Sequence, residues 1–180
     1  MDHAHMTRAL EIAERGRFTT KPNPVVGCLI VKGSEVIAEG WHERAGDAHA
    51  EVNALRAAGE AARDAQAIVT LEPCSHIGRT GPCVEALISA GIVRVAAAMQ
   101  DPNPAVAGRG FQRLRDAGME VVIGIEGKRA AALNPGFIRR MQTGRPRVRV
   151  KLAASMDGRT AASDGSSQWI SSEASREDVH

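Results

Sequence analysis

Residues 49–83 read HAEVNALRAAGEAARDAQAIVTLEPCSHIGRTGPC, and this stretch decides both the fold and the chemistry of the chain. Its alanine-rich beginning predicts a helix from about Ala48 to Arg63, and the apolar run after it predicts a short buried strand over Ala67–Leu71. Pro82 then stands where a second helix begins, because a proline is well tolerated in a first helical turn. The stretch is therefore expected to fold as helix, strand and helix, with potential metal ligands at the joints.

Three side chains of this stretch are typical zinc ligands: His49, Cys74 and Cys83. One imidazole and two thiolates fill three corners of a tetrahedral zinc site and leave the fourth open for water. Glu51 lies about 200° further round a helix than His49, so its carboxylate is expected to point elsewhere and to move protons. Zinc-dependent nucleobase deaminases have this set of groups, and in them a metal-activated water attacks an amino-bearing ring carbon.

The alternative to a catalytic centre is a wholly structural zinc site, which needs a fourth protein ligand. His76 and Cys28 are the candidates, but Cys28 lies within the apolar run Val25–Val31 and is expected in the core. The three cysteines are an odd number, and two of them have a better use as metal ligands than as a disulfide. A reducing, cytoplasmic setting is therefore expected.

Strands alternate with helices along the rest of the chain, after an opening helix over residues 2–16. Val25–Val31 and Glu35–Glu39 predict a hairpin. The segments that follow residue 83 predict strand, helix and strand at Ile92–Met99, Gly108–Ala117 and Met119–Ile125, then helical structure over 127–142 with an interruption at Asn134-Pro135-Gly136. This order predicts an α/β fold, a three-layer αβα arrangement in which helices cover both faces of a mixed sheet. Ligands bind such sheets at the carboxyl ends of strands.

Composition narrows the classes of function. Hydrophobic residues at 43% and charged residues at 24% are ordinary for a globular protein. No apolar run reaches about 18 residues, so no membrane partner is expected. The net charge of +2 gives little attraction for nucleic acid. Residues 139–151 are basic and contain no acidic or aromatic residue, which favours a solvated connector over a phosphate-binding segment.

His49-Ala50-Glu51 followed by Pro73-Cys74 resembles the cytidine deaminase superfamily. Most members place two residues between the cysteines, whereas eight residues separate Cys74 from Cys83 here. That longer insert resembles the bifunctional riboflavin-biosynthesis deaminase–reductase family. The likeness covers residues 6–180 and extends through Gly16-Arg17-Phe18-Thr19-Thr20, Asn23-Pro24-Val25-Val26-Gly27, Gly40-Trp41-His42 and Gln100-Asp101-Pro102-Asn103-Pro104.

The resemblance implies a cytidine-deaminase-like sheet and the hydrolysis of an exocyclic amine at C2 of a diaminopyrimidinone that carries a ribosylamino 5'-phosphate. It assigns zinc to His49, Cys74 and Cys83 and proton transfer to Glu51. Asn23 would bind the pyrimidine edge, and the remaining contacts to base, ribose and phosphate would come from His42, His76, Arg79, Asp101 and Asn103. The insert agrees with a phosphate site, since it brings an imidazole and a cation among glycines; the alternative is a merely polar solvent loop.

The end of the chain resembles the opening of the family's reductase half, a dihydrofolate-reductase-like domain that uses NADPH. Residues 147–152 alternate as a strand, and Ser171-Ser172 begins a helix. By this likeness Ala153 and Trp169 would contact NADP, and Ser167 the substrate. Roughly 35 residues are too few for a dinucleotide-binding domain. The expected organisation is a deaminase domain over 1–143 and an incomplete reductase fragment over 144–180.

Two other functions compete with this one. A superfamily relative acting on cytidine, deoxycytidylate or tRNA adenosine would leave both the long cysteine insert and the reductase-like end unexplained. A zinc-stabilised RNA-binding module would use the basic stretch over 139–151 instead of a catalytic cavity. Members of the resembled family are commonly homo-oligomers, and no pattern in this sequence decides the oligomeric state.

Overall fold

A computed structural model describes residues 2–76, 81–104 and 106–178, and divides the chain into two units, Met1–Arg147 and Val148–His180. The described residues form five strands: β1 (Gly27–Lys32), β2 (Glu35–Trp41), β3 (Gln66–Val69), β4 (Arg94–Ala97) and β5 (Glu120–Ile123). They also form the helices α1 (Asp2–Ala13), α2 (Ala50–Ala58), α3 (Cys83–Ser89), α4 (Arg109–Asp116), α5 (Gly127–Leu133), α6 (Pro135–Thr143) and α7 (Glu173–Glu177).

The strands form one mixed sheet in the order β2-β1-β3-β4-β5. β1 runs antiparallel to both β2 and β3, whereas β3, β4 and β5 are parallel to one another. Side chains from α1 and α5 pack in one core cluster, and side chains from α2, α3 and α4 pack in another. The predicted α/β fold, a three-layer mixed sheet with helices on both faces, is confirmed.

Strand β1 is covered on both faces. Cys28 and Ile30 belong to the cluster beneath α2, α3 and α4, while Leu29 and Val31 belong to the cluster beneath α1 and α5. All four side chains are fully buried. Successive side chains of a strand point to opposite faces, so a strand covered on both sides needs an uninterrupted apolar run. Cys28 is therefore a core residue, as expected.

Four connecting segments meet at one end of the strands. The parallel strands β3 and β4 have their carboxyl ends there and lead into Cys74 and Asp101. Antiparallel β1 begins there, after Asn23, and β2 ends beside the start of β1 and leads into His42. The topology thus collects residues that are far apart in sequence at the carboxyl ends of the parallel strands.

Gly40 allows α2 to lie directly on the sheet. A Cβ atom at this position would stand 2.3 Å from the backbone nitrogen of Ala54 and 2.5 Å from the carbonyl oxygen of Ala50. No other residue type fits without displacing the helix. The contact holds the start of α2, and with it His49 and Glu51, against the sheet.

Asn134 joins the α5–α6 junction to the segment that precedes β1. Its Oδ1 accepts a hydrogen bond from the backbone N–H of Val25 at 2.7 Å, and its Nδ2 donates to the Val25 carbonyl at 2.8 Å. Both groups are buried, and leaving one of them unpaired would cost about 1–3 kcal/mol. The interruption predicted at Asn134-Pro135-Gly136 is confirmed, and it anchors the chain just after Asn23.

Two predicted elements differ from the structure. The helix expected over Ala48–Arg63 ends at Ala58, because Gly59 adopts a φ of 55° and a 3₁₀ turn follows. The strand expected over residues 147–152 forms no ladder with any described residue, and all of its residues are exposed. A strand needs a partner for its N–H and C=O groups, so alternation alone does not produce one.

The second unit contains α7. The Ser172 hydroxyl accepts a hydrogen bond from the backbone N–H of Ser175 at 3.3 Å and caps this helix, which confirms the helix expected after Ser171-Ser172. Val148, Val150 and Leu152 are largely exposed in this unit. Over the described parts of both units, the helices are too short or too polar to cross a membrane.

Candidate metal centre

The three predicted zinc ligands lie at three different places where a loop meets, or follows, a helix or strand. His49 is the extended residue that precedes α2, with φ −72° and ψ 164°. Cys74 lies in the loop after β3, and Cys83 is the first residue of α3. The Val84 N–H donates to the Cys74 carbonyl at 3.2 Å and ties that loop to α3. The fold therefore holds both cysteines beside the start of α2.

The donor atoms stand at distances that suit zinc. His49 Nδ1 lies 3.2 Å from Cys83 Sγ and 3.5 Å from Cys74 Sγ, and among the described residues these three can offer one ligand atom each within 4.8 Å of one another. A tetrahedral centre with Zn–N of about 2.1 Å and Zn–S of about 2.3 Å places nitrogen and sulfur roughly 3.5 Å apart. The residues present thus fit a zinc ion and leave a fourth position to a non-protein ligand.

The pKa values of the two cysteines are shifted in opposite directions. A hydrogen bond from the Cys83 thiol holds the pKa of Cys74 well below its usual range, and hydrogen bonds from His49 and the Cys83 backbone N–H add to this. The same thiol–thiolate bond, together with burial, holds the pKa of Cys83 above its usual range. The hydrogen bond to Cys74 also raises the pKa of His49. Cys74 therefore loses its proton more easily than Cys83 and is the better placed of the two to bind a cation as a thiolate.

Glu51 is the buried acid of the site, with only 4% of its surface exposed. Burial raises its pKa to about 7, and the negative charge of Cys74 adds to the shift. A carboxyl group with such a pKa can take up and give back a proton near neutral pH. The expected rotation of 200° between His49 and Glu51 does not apply, because His49 lies before the helix, yet both side chains line the same cavity.

One cavity of about 480 Å³ adjoins these residues. It is lined by the groups proposed for zinc and proton transfer, except for Cys83, which is fully buried. The structure also places five predicted substrate contacts on its walls: Asn23, His42, His76, Asp101 and Asn103. The sixth, Arg79, lies outside the described residues.

His42 is held in one neutral tautomer. Its Nδ1 lies 3.1 Å from the Ala48 carbonyl oxygen and must donate to it, so Nε2 accepts from the Asn23 Nδ2, also at 3.1 Å. Burial lowers the pKa of His42, which favours the neutral ring. The histidine therefore fixes the amide of Asn23 at the cavity wall.

Asp101 and Asn103 form another part of the cavity wall. The Asp101 Oδ1 accepts the Asn103 backbone N–H at 2.8 Å, which closes a tight turn. Burial raises the pKa of Asp101. The turn therefore presents a partly desolvated carboxyl group to the cavity.

Ala153, Ser167 and Trp169 belong to the second unit. All three are exposed, and the Arg176 guanidinium lies over the Trp169 ring, 3.9 Å from its centre. Their predicted contacts with NADP and substrate stay predictions.

The residues that line the cavity without having been predicted from the sequence include Glu72, Val106 and Phe137. Glu72 had a visible signal, because it is an acidic residue at the end of the apolar run that leads into Pro73-Cys74. Phe137 and Val106 had no such signal in the sequence, since their place in the cavity depends on the packing of α6 and of the loop before α4.

Fold and site together define a class, the αβα hydrolases built round a His–Cys–Cys metal centre with a buried glutamate. Residues 1–99 match the family model described as the cytidine and deoxycytidylate deaminase zinc-binding region, and residues 146–180 match the RibD C-terminal domain. The chain belongs to the cytidine and deoxycytidylate deaminase family and, within it, to the RibD group of riboflavin-biosynthesis proteins.

Individual relatives agree with this placement. The chain is 60% identical over 178 residues to the riboflavin biosynthesis protein RibD of Escherichia coli, covering 99% of this chain and 48% of that one. It is 48% identical over 145 residues to the diaminohydroxyphosphoribosylamino-pyrimidine deaminase of Buchnera aphidicola subsp. Schizaphis graminum, covering 81% of this chain and 99% of that one. The Acinetobacter baumannii RibD structure, form 1, superposes with a TM-score of 0.95 at 56% identity, covering 99% of this chain and 50% of that one. The chain spans about half the length of the RibD relatives it matches.

Proposed function

We propose that the first unit removes the exocyclic amine from C2 of a diaminopyrimidinone that carries a ribosylamino 5'-phosphate, by zinc-dependent hydrolysis. The observation that carries this proposal is the convergence of His49, Cys74 and Cys83 on zinc-like distances beside the buried Glu51. The name of the Buchnera relative, whose length the chain covers almost completely, supports the substrate.

The residues of the chain divide the chemistry among them. Zinc, when bound by His49, Cys74 and Cys83, would supply Lewis-acid activation of a water molecule. Glu51 transfers both protons of the attacking water in turn: the first goes to the ring nitrogen next to C2, and the second, from the hydroxyl group then on C2, goes to the departing amine as the C2 carbonyl forms. The products are a C2 carbonyl and ammonia, so one water is consumed for each amine released.

Two walls of the cavity would hold the base while this happens. The Asn23 amide, fixed by His42, supplies hydrogen bonds to the pyrimidine edge. Asp101 and Asn103 supply polar contacts from another part of the wall, and Phe137 adds an aromatic surface. These contacts supply binding energy for the substrate, while Glu51 and the zinc ligands act on the reacting carbon.

The substrate proposal is tested by ammonia release from three compounds at equal concentration. We expect the diaminopyrimidinone phosphate to react at least about a hundredfold faster, as kcat/KM, than cytidine or deoxycytidylate, because a cavity built for polar groups rejects compounds that lack them. A higher kcat/KM for deoxycytidylate would favour the competing nucleotide deaminase.

The insert between the cysteines is proposed to bind the substrate phosphate through Arg79, with His76 beside it. We expect Arg79→Ala to raise KM for the phosphorylated substrate about tenfold or more, because a charge-assisted contact to phosphate is lost. Arg79→Lys keeps the positive charge and should lose much less. An unchanged KM in Arg79→Ala would contradict the phosphate proposal.

The second unit is proposed to be the beginning of a reductase domain, with the division near residue 144. Its match to the RibD C-terminal domain supports this. In a protein of the relatives' length, that domain would reduce the ribose of the deaminated product with NADPH, with Ala153 and Trp169 at the cofactor and Ser167 at the substrate. We also propose a cytoplasmic homo-oligomer with no membrane or nucleic-acid partner; the absence of any disulfide among the three cysteines is consistent with a reducing compartment.

A further inference from the structure

Glu72 is a buried carboxylate that the chemistry above does not use. It lies two residues before Cys74 and is only 4% exposed. Its two oxygens accept four backbone hydrogen bonds from one segment of the chain. Oε2 accepts from Asp101 at 3.1 Å and Gly108 at 2.9 Å, and Oε1 accepts from Gly110 at 2.9 Å and Phe111 at 3.4 Å.

These bonds organise the start of α4. The residue before this helix, Gly108, adopts a left-handed φ of 79°, and no side chain of the helix's own segment caps it. The Glu72 carboxylate takes the place of that cap, since it satisfies N–H groups of the first turn and brings negative charge to the positive end of the helix.

Gly110 permits the close approach. A Cβ atom at residue 110 would lie 2.1 Å from the Pro73 carbonyl oxygen and 3.1 Å from the Glu72 Oε1. The first turn of α4 therefore touches the backbone that leads directly into Cys74.

The segment held in this way carries one wall of the cavity. Asp101, Asn103 and Val106 line the cavity. Asp101 carries the first amide that Glu72 binds, and Asn103 and Val106 lie between it and the second, that of Gly108. This wall lies outside residues 1–99, the part of the chain that matches the zinc-binding region. Glu72 lies inside that part, so its side chain connects the metal centre with the wall beyond it.

We propose that Glu72 is a positioning residue, which fixes the distance of the substrate-binding wall at Asp101 and Asn103 from the zinc ligand Cys74. The inference rests on the proposed function, because it concerns how substrate is held at the same site. Both oxygens of Glu72 accept backbone hydrogen bonds, so the residue acts on the substrate through the wall that it holds. Its carboxylate sets where the groups that bind the substrate stand.

The variant that tests this role is Glu72→Gln. Glutamine has nearly the same shape but only one acceptor oxygen, and its NH₂ group would face two N–H donors. The wall should therefore detach on one side while the metal ligands stay in place. We expect KM to rise about tenfold or more, since the contacts of Asp101 and Asn103 with the substrate weaken equally in the bound state and in the transition state. We expect kcat to change by less than about threefold, the pattern of lost uniform binding, and zinc content to stay the same.

Met6→Ala is the matched control, because Met6 is fully buried in the opposite core cluster and its loss destabilises the fold without touching the cavity. Its KM should equal that of the unchanged protein at a temperature where all variants are folded. An equal rise in KM for Met6→Ala would reduce Glu72 to a general stabilising residue and overturn the proposal. A loss of kcat alone, or a loss of zinc, in Glu72→Gln would also overturn it.

A second measurement needs neither a variant nor a substrate. In the zinc-loaded protein, the amides of Asp101, Gly108, Gly110 and Phe111 should exchange hydrogen as slowly as those of β1, at the limit set by global unfolding. Fast exchange at these amides would overturn the proposal even if Glu72→Gln fails to fold. If no ammonia is released from the diaminopyrimidinone phosphate, the proposed function fails instead, and exchange still decides whether Glu72 holds the wall.

Discussion

Glu51→Gln is expected to abolish ammonia release, by about a thousandfold or more, while the protein still holds one zinc ion per chain. Glutamine preserves the size and most of the polarity of the side chain but can neither accept nor return a proton. The reaction needs both steps, because one proton must reach the ring nitrogen and another the departing amine.

The environment of Glu51 explains why no neighbouring group should replace it. Burial raises its pKa to about 7, so its two protonation states are nearly balanced at neutral pH. His42, whose ring lies beside that of His49, has both ring nitrogens engaged in hydrogen bonds and a lowered pKa. His42 is therefore not free to replace Glu51 as the proton carrier.

Glu39→Gln is the matched control for this experiment. Glu39 is a carboxylate on β2 that pairs with Arg8 at 2.7 Å and does not line the cavity. We expect it to keep full activity, since a partly exposed ion pair contributes only about 0–1 kcal/mol to the free energy of unfolding. Metal analysis of both variants completes the test. Loss of zinc from Glu51→Gln would make Glu51 a ligand and overturn the proposed division of roles.

The candidate metal ligands could be predicted from the sequence because the identity of each residue already restricts its chemistry. A histidine, two cysteines and a glutamate in short motifs indicate zinc chemistry before any fold is known, and the structure brings His49, Cys74 and Cys83 together as predicted. The alternating strands and helices were predictable for a similar reason, since apolar periodicity reports directly on burial.

The walls of the cavity were harder to predict, because they depend on contacts between distant segments. Nothing in the sequence near Asn134 indicates that its amide pairs with the backbone of Val25, which is 109 residues away. Four amides around residues 101–111 likewise meet Glu72 only after the sheet has formed. The strand expected over residues 147–152 was wrong because alternation describes what a strand would bury and says nothing about its partner.

Cys83→Ala is expected to remove zinc and, with it, both activity and a large part of the stability. Cys83 is fully buried at the start of α3, and the metal would link this helix to the start of α2 and to the loop after β3. At a zinc concentration of roughly a thousand times its dissociation constant, the bound ion adds about 4 kcal/mol to the free energy of unfolding. For a chain of this size, that loss lowers Tm by about 10 °C.

Cys28→Ala separates the loss of metal from the loss of a buried sulfur. Cys28 is equally buried, but it lies in β1 within the core. This variant should therefore keep its zinc and lose only the stability that the small cavity left by the sulfur costs.

A chelator separates the two effects further. It should lower the Tm of the unchanged protein and of Cys28→Ala to near that of Cys83→Ala. It should leave the Tm of Cys83→Ala unaffected. If Cys83→Ala retained one zinc ion, the ligand set would have to include another side chain, and His76, the exposed neighbour at the cavity, would be the first to test. If it loses the ion, Cys83 is required for metal binding, as the proposed ligand set demands, and zinc retained in a His76→Ala variant would leave the fourth position to the water that the proposed reaction consumes.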